Sequence, residues 1–134
     1  MERTLVLIKP DGVERKLIGE IISFYERKSL EITALKMLKP DRERAERHYE
    51  EHKGRPYFEG LISYIIGGRI VALVVEGDNA IEVVRKINGD KDPLVSELSS
   101  IRGMYCNNKT RNLVHASDSA ENAEREISIW FDEN

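Results

Sequence analysis

The sequence predicts an α+β sandwich, a four-stranded antiparallel sheet in a ferredoxin-like βαββαβ order with additional helices. Three observations predict it. Thr4 to Ile8 and Ile70 to Val75 are unbroken aliphatic and β-branched runs, the pattern of strands covered on both faces. Segments with helical spacing alternate with the strands. Two further short apolar stretches, Leu30 to Met37 and Leu113 to His115, complete a set of four strands.

Taken in order, Thr4 to Ile8 reads as a central strand, followed by Lys9 and the turn chemistry of Pro10-Asp11-Gly12. Ile18, Ile21, Ile22 and Tyr25 form one helical stripe. Leu30 to Met37 alternates more loosely and is stopped near Pro40, which marks a more exposed strand. Asp41 to Lys53 is a strongly charged helix and Tyr57 to Ile66 a more apolar one. Ile70 to Val75 is the second central strand. After the start signal Asp78-Asn79, a helix buries Ala80, Val83, Val84 and Ile87. Gly89 to Arg111 is a long connection with few core signals, of the kind that is functional or partly helical. Leu113 to His115 is the fourth strand. Asp118 and Glu121 have N-cap and N3 spacing for a last helix, whose buried stripe is Ala123, Ile127, Trp130 and Phe131.

The chain has 134 residues, 40% hydrophobic and 34% charged, the size and balance of one domain spanning residues 1–134. A net charge of −3 argues against nonspecific nucleic-acid binding, which needs clustered cations. Cys106 is the only cysteine, which excludes an intrachain disulfide and a cysteine zinc site. The first apolar run is too short for a signal peptide or membrane span, so a soluble, cytoplasmic protein is expected.

Among candidate sites, His115 stands at a strand end just before a helix start, where unsatisfied backbone N–H groups favour phosphate. Glu126 is the downstream carboxylate suited to orient its ring, with an ion pair to Arg125 the alternative. There is no Walker A segment and no G-x-G-x-x-G, so a phosphate ligand requires cationic side chains. Lys9, Arg85 and Arg102 are the candidates, and guanidinium forks match phosphate oxygens. Tyr49 and Tyr57 offer aromatic faces for a base, with core packing the alternative. His48-Tyr49-Glu50-Glu51-His52 matches H-x-x-E-H, but in a helix so charged that a solvated face is the better reading. No metal site is expected from these residues.

Glu2-Arg3-Thr4, Ile8-Lys9-Pro10-Asp11-Gly12-Val13, Leu17-Ile18-Gly19-Glu20-Ile21-Ile22, His48-Tyr49, Arg55-Pro56-Tyr57-Phe58, Glu76-Gly77-x-Asn79-Ala80, Ile101-Arg102-Gly103 and Asn112-x-x-His115-x-Ser117-Asp118-Ser119 follow one another in the order of a known family. Together they resemble a nucleoside diphosphate kinase over nearly the whole chain. The resemblance implies transfer of the γ-phosphate of a nucleoside triphosphate (ATP) to a nucleoside diphosphate, by a ping-pong route through a phosphohistidine at His115. It implies phosphate contacts from Lys9, Arg85 and Arg102, a ribose contact from Asn112, and Tyr57 over the base. Tyr49, Ser117 and Glu126 match the residues that position histidine and phosphate. Mg2+ is expected to arrive on the nucleotide phosphates. The family assembles as hexamers or tetramers, and the short C-terminus favours a homohexamer.

Three departures from the family pattern stand out. Leu98-Ser99-Ser100-Ile101-Arg102-Gly103-Met104 replaces the usual Pro-Gly-Thr-Ile-Arg-Gly-Asp. Lys91 takes the place of a phosphate-contacting threonine, where its ammonium offers a point charge instead. Lys109-Thr110-Arg111 is more basic than usual. The altered loop keeps a noncatalytic nucleotide- or protein-binding member of the same fold as the alternative.

Overall fold

The computed structural model describes residues 1–131. Its strands are β1 (Glu2–Ile8), β2 (Glu31–Leu38), β3 (Ile70–Gly77) and β4 (Val114–Ala116). They form one antiparallel sheet in the order β2-β3-β1-β4. The helices are α1 (Pro10–Glu14), α2 (Ile18–Arg27), α3 (Arg42–His48), α4 (Phe58–Ile66), α5 (Ala80–Asn88), α6 (Ile101–Tyr105) and α7 (Ala120–Phe131), with a 3-10 turn at Glu50–His52.

The two unbroken apolar runs become the two central strands because helices cover both faces of the sheet. Val6, Ile8, Val71, Leu73 and Val75 pack with Ile21, Tyr25, Ala80 and Val84 of α2 and α5. Leu5, Leu7, Ile70, Ala72 and Val74 face the other way, onto Ala45, Phe58, Ile62, Ile127 and Trp130 of α3, α4 and α7. β2 is an edge strand of alternating partial exposure, as its looser pattern predicts. Its outward side chains include Leu35 and Met37.

The structure corrects three local expectations. Pro10-Asp11-Gly12 opens α1 instead of forming only a turn, with Pro10 at the first helical position where its missing N–H is no loss. The charged helix starts at the Asp41 cap, which accepts from Arg44 N at 2.8 Å, but ends at His48. His48 and Tyr49 turn inward there, and a 3-10 turn carries the chain on. In the last helix Ser119, not Asp118, supplies the capping oxygen: Ser119 Oγ accepts from Asn122 N at 3.1 Å. Asp118 instead accepts from the Asn122 side chain at 2.6 Å.

The long connection is partly helical, through α6. Ser100 caps it, its hydroxyl accepting from Gly103 N at 3.0 Å, so the altered loop keeps a capping hydroxyl. A β-carbon on Gly103 would stand 1.8 Å from the Glu97 carbonyl oxygen, a backbone atom that moves only with the loop. Among the described residues no helix is long and apolar enough to cross a membrane.

Ser100→Ala is expected to cost about 1 kcal/mol through loss of the cap. Gly103→Ala is expected to lower the thermal midpoint further, because the backbone itself must shift. Calorimetry at one protein concentration checks both, and an unchanged midpoint in Gly103→Ala contradicts this account of the loop.

Candidate active site

β4 pairs with the end of β1, setting His115 opposite Leu7 at the edge of the sheet, and α7 returns across the same face. His115 Nε2 lies 3.0 Å from Glu126 Oε1, and Ser117 Oγ donates to that same oxygen at 2.6 Å. Ser117 is held in turn by Leu5, through Leu5 N to Ser117 Oγ at 3.3 Å and Ser117 N to Leu5 O at 3.1 Å. Burial pushes the Glu126 carboxyl up, but hydrogen bonds from His115 and Ser117, with the charges of His115 and Arg125, outweigh it and hold the group below its ordinary value. An ionised carboxylate only accepts. Nε2 therefore carries a proton, and when the ring is neutral the lone pair lies on Nδ1. The Arg125 guanidinium is 3.9 Å from the other Glu126 oxygen, so the ion pair and the histidine contact coexist.

A row of aromatic rings leads away from this centre. His48 meets His115 edge to face, with centroids 4.5 Å apart, and touches Tyr49 at 4.7 Å and Trp130 at 5.5 Å. Trp130 Nε1 donates to His48 Nδ1 at 3.0 Å. Burial, reinforced by the charge of His115, drives the His48 pKa well below its ordinary value, so His48 is neutral. Burial also pushes the Tyr49 phenol up, as does the charge of Glu126. Farther out, exposed Tyr57 bonds His52 Nδ1 through its hydroxyl at 2.8 Å.

Two cations gather on the segment that leads into β4. Lys9 Nζ donates to Asn112 Oδ1 at 2.9 Å, and Asn112 Nδ2 donates to Lys109 O at 2.9 Å. Burial lowers the Lys9 pKa to about 8, and the charges of Arg102 and Lys91 act in the same direction. Arg102 is buried, and its guanidinium serves the backbone: Nε donates to Asn112 O at 3.3 Å, Nη1 to Gly89 O at 2.6 Å and Nη2 to Val114 O at 2.6 Å. Gly89 closes α5 with φ 88°, a conformation that presents this carbonyl and suits glycine. Arg85 and Lys91 are exposed. Arg85 lies near enough for its charge to act on Arg102 and Asp118, as Lys91 acts on Lys9.

The structure thus joins His115, Ser117 and Glu126 directly, and ties Lys9, Arg102 and Asn112 to the segment just before them. Tyr49 reaches the centre through His48. Tyr57 has His52 as its hydrogen-bond partner and stands at the outer end of the aromatic row. The solvated-face reading of His48 is corrected: it is buried against His115 and Trp130. The signal was present, because Ala45, His48 and Tyr49 lie at helical spacing and are the buried residues of that segment. Asp11 and Leu113 had no such signal. Asp11 is buried, its Oδ2 accepts from Leu113 N at 3.1 Å, and its Oδ1 accepts from the Tyr64 hydroxyl.

As possible metal ligands, His48, His115 and Glu126 bring one donor atom each within 4.8 Å of one another. His48 Nδ1 already accepts from Trp130, and Glu126 Oε1 from His115 and Ser117. The H-x-x-E-H pair does not survive as one helical face, because α3 ends between its histidines.

The sequence model of the nucleoside diphosphate kinase family matches residues 2–134. A nucleoside diphosphate kinase of Ignicoccus hospitalis is 59% identical over 131 residues, covering 98% of this chain and 89% of that one. One of Sulfurisphaera tokodaii is 56% identical, covering 99% and 90%. The crystal structure of the apo enzyme from Encephalitozoon cuniculi superposes with a TM-score of 0.95 at 38% identity, covering 98% of this chain and 89% of that one. A family protein from Babesia bovis gives 0.95 at 43%, covering 98% and 88%. On this coverage and identity, the chain belongs to the nucleoside diphosphate kinase family.

Proposed function

We propose that this chain is an active nucleoside diphosphate kinase that moves the γ-phosphate of ATP, or another nucleoside triphosphate, to a nucleoside diphosphate with His115 Nδ1 as carrier. The observation that carries the reading is the bond from His115 Nε2 to Glu126, which leaves the Nδ1 lone pair available. In the first half-reaction Nδ1 attacks the γ-phosphorus. The N–P bond forms as the bond to the β,γ-bridging oxygen breaks, and the diphosphate leaves with that electron pair. In the second, a β-phosphate oxygen of the acceptor attacks the phosphorus, and the N–P electron pair returns to Nδ1. The ring proton on Nε2 stays in place throughout. Glu126 balances the positive charge that the phosphorylated ring acquires.

Lys9, Arg85 and Lys91 supply cations for the phosphates. Three of the five Arg102 N–H donors serve backbone carbonyls, so two remain for phosphate. Asn112 suits the ribose, Tyr57 the base, and Tyr49 and Ser117 hold the histidine surroundings. Mg2+ enters as part of the nucleotide substrate. The nearby carboxylates favour this: Glu126 is engaged by His115 and Ser117, and Asp11 by Leu113 and Tyr64. Exposed Leu35 and Met37 on the edge strand, and Leu94, Val95 and Leu98 in the long connection, support assembly of copies, which we take to be a cytoplasmic homohexamer.

Incubation with ATP labelled at the γ-phosphate is expected to give an acid-labile, base-stable label that GDP discharges and that His115→Ala lacks. Absence of label on folded wild-type protein would favour noncatalytic binding. Glu126→Ala is expected to slow labelling about ten- to hundredfold, the worth of a hydrogen bond to a charged group. The pH dependence follows from Lys9: its ammonium binds phosphate below a pKa of about 8 and is lost above it. Wild-type kcat/KM is therefore expected to fall as pH rises through about 8, while Lys9→Ala is low throughout and lacks that limb.

A further inference from the structure

We infer that Asp11 is a positioning residue for phosphoryl transfer, fixing the backbone turn from which the His115 strand starts. The inference rests on the reading of His115 as the phosphoryl carrier. Leu113, two residues before His115, has φ 72°, a region that branched L residues seldom enter. Val114 N donates to Asn112 O at 2.8 Å across it, which makes Leu113 the centre of a γ-turn of the rarer, strained hand. Such a turn persists only where its surroundings over-determine it.

The surroundings do so. Leu113 is fully buried, so no water is at hand for its polar groups. Its N–H donates to Asp11 Oδ2 at 3.1 Å, and its carbonyl accepts from Lys9 N at 2.7 Å. The flanking carbonyls of Asn112 and Val114 both accept from Arg102. Asp11 is itself fixed, because its other oxygen accepts from the Tyr64 hydroxyl while Asp11 N donates to Tyr64 Oη at 3.2 Å.

One short segment therefore grips both polar groups of Leu113, through the Lys9 backbone and the Asp11 side chain. The same segment carries the Lys9 ammonium. Nucleophile and cation are set in a fixed relation, which is what a phosphoryl transfer governed by positioning requires. Without the Asp11 acceptor, a buried N–H is left unpaired, and rotating Leu113 toward extended backbone is the change that releases it. Val114 and His115 would move with it.

The test is the rate of His115 labelling from γ-labelled ATP in wild type, Asp11→Ala, Asp11→Asn and Tyr64→Phe, with nucleotide affinity measured in parallel. Asp11→Ala is expected to label about a hundredfold more slowly, as for a misplacement of about 1 Å, with nucleotide affinity little changed. Asp11→Asn is expected to restore most of the rate, since its amide oxygen still accepts from Leu113 N while its NH2 faces the Tyr64 oxygen. A wild-type rate in Asp11→Ala overturns the inference. An equal loss in Asp11→Asn also does so, since charge and not the hydrogen bond is then what matters. Should Asp11→Ala fail to fold, Tyr64→Phe decides: loss of both hydrogen bonds between Tyr64 and Asp11 predicts labelling slower by about fivefold or more, and an unchanged rate overturns the role of Asp11. Absence of label on wild type overturns the carrier reading instead, whereas labelled wild type with unaffected variants overturns the role of Asp11 alone.

Discussion

Glu126 Oε1 accepts from two donors at once, His115 Nε2 at 3.0 Å and Ser117 Oγ at 2.6 Å, in a position almost closed to water. A carboxylate there is stable as an anion because those donors replace its hydration and Arg125 stands beside it. The dependence runs outward through the fold. Ser117 reaches Glu126 because its own N–H and hydroxyl are pinned to Leu5 in the central strand β1. Glu126 reaches His115 because Ile127 and Trp130 bury one side of α7 against the sheet. Trp130 also fixes His48, whose neutral ring closes one face of His115. The apolar packing of α7 is thus the reason a histidine at a sheet edge has a defined tautomer.

Two cations gather on the segment that leads into β4, and they do different work. Lys9 has one side-chain acceptor, Asn112 Oδ1, and its burial weakens its hold on its proton. Arg102 gives three N–H donors to the carbonyls of Gly89, Asn112 and Val114, binding the end of α5 to the start of β4. An arginine so placed is part of the scaffold. Lysine has no planar fork with which to make these three bonds together, so the two residue types are not interchangeable here.

Much of this is legible in the sequence, and what is not has physical causes. Both central strands announce themselves by unbroken apolar runs, because helices cover both faces. β2 announces its greater exposure by alternation, and its edge position comes from the sheet order. His115, Lys9 and Arg102 are visible because spaced motifs surround them. Pro10-Asp11-Gly12 is ambiguous, since proline starts turns and helices equally well. His48 is hidden by the charges around it, although its spacing from Ala45 places it on the buried side. The roles of Asp11 and of the Arg102 bonds are not written locally at all. The first depends on Leu113 meeting the segment that follows β1, a contact between residues far apart in the chain, and the second on how the long connection folds back on its own ends.

The central claim is that Glu126 holds the Nε2 proton and leaves Nδ1 to take the phosphoryl group. Nitrogen-15 and phosphorus-31 NMR of the protein phosphorylated by ATP, with its histidine ring nitrogens labelled, tests it most directly. The account predicts phosphorus–nitrogen coupling to Nδ1 of His115, with Nε2 still protonated. Coupling to Nε2, or to a nitrogen of another histidine, would contradict it.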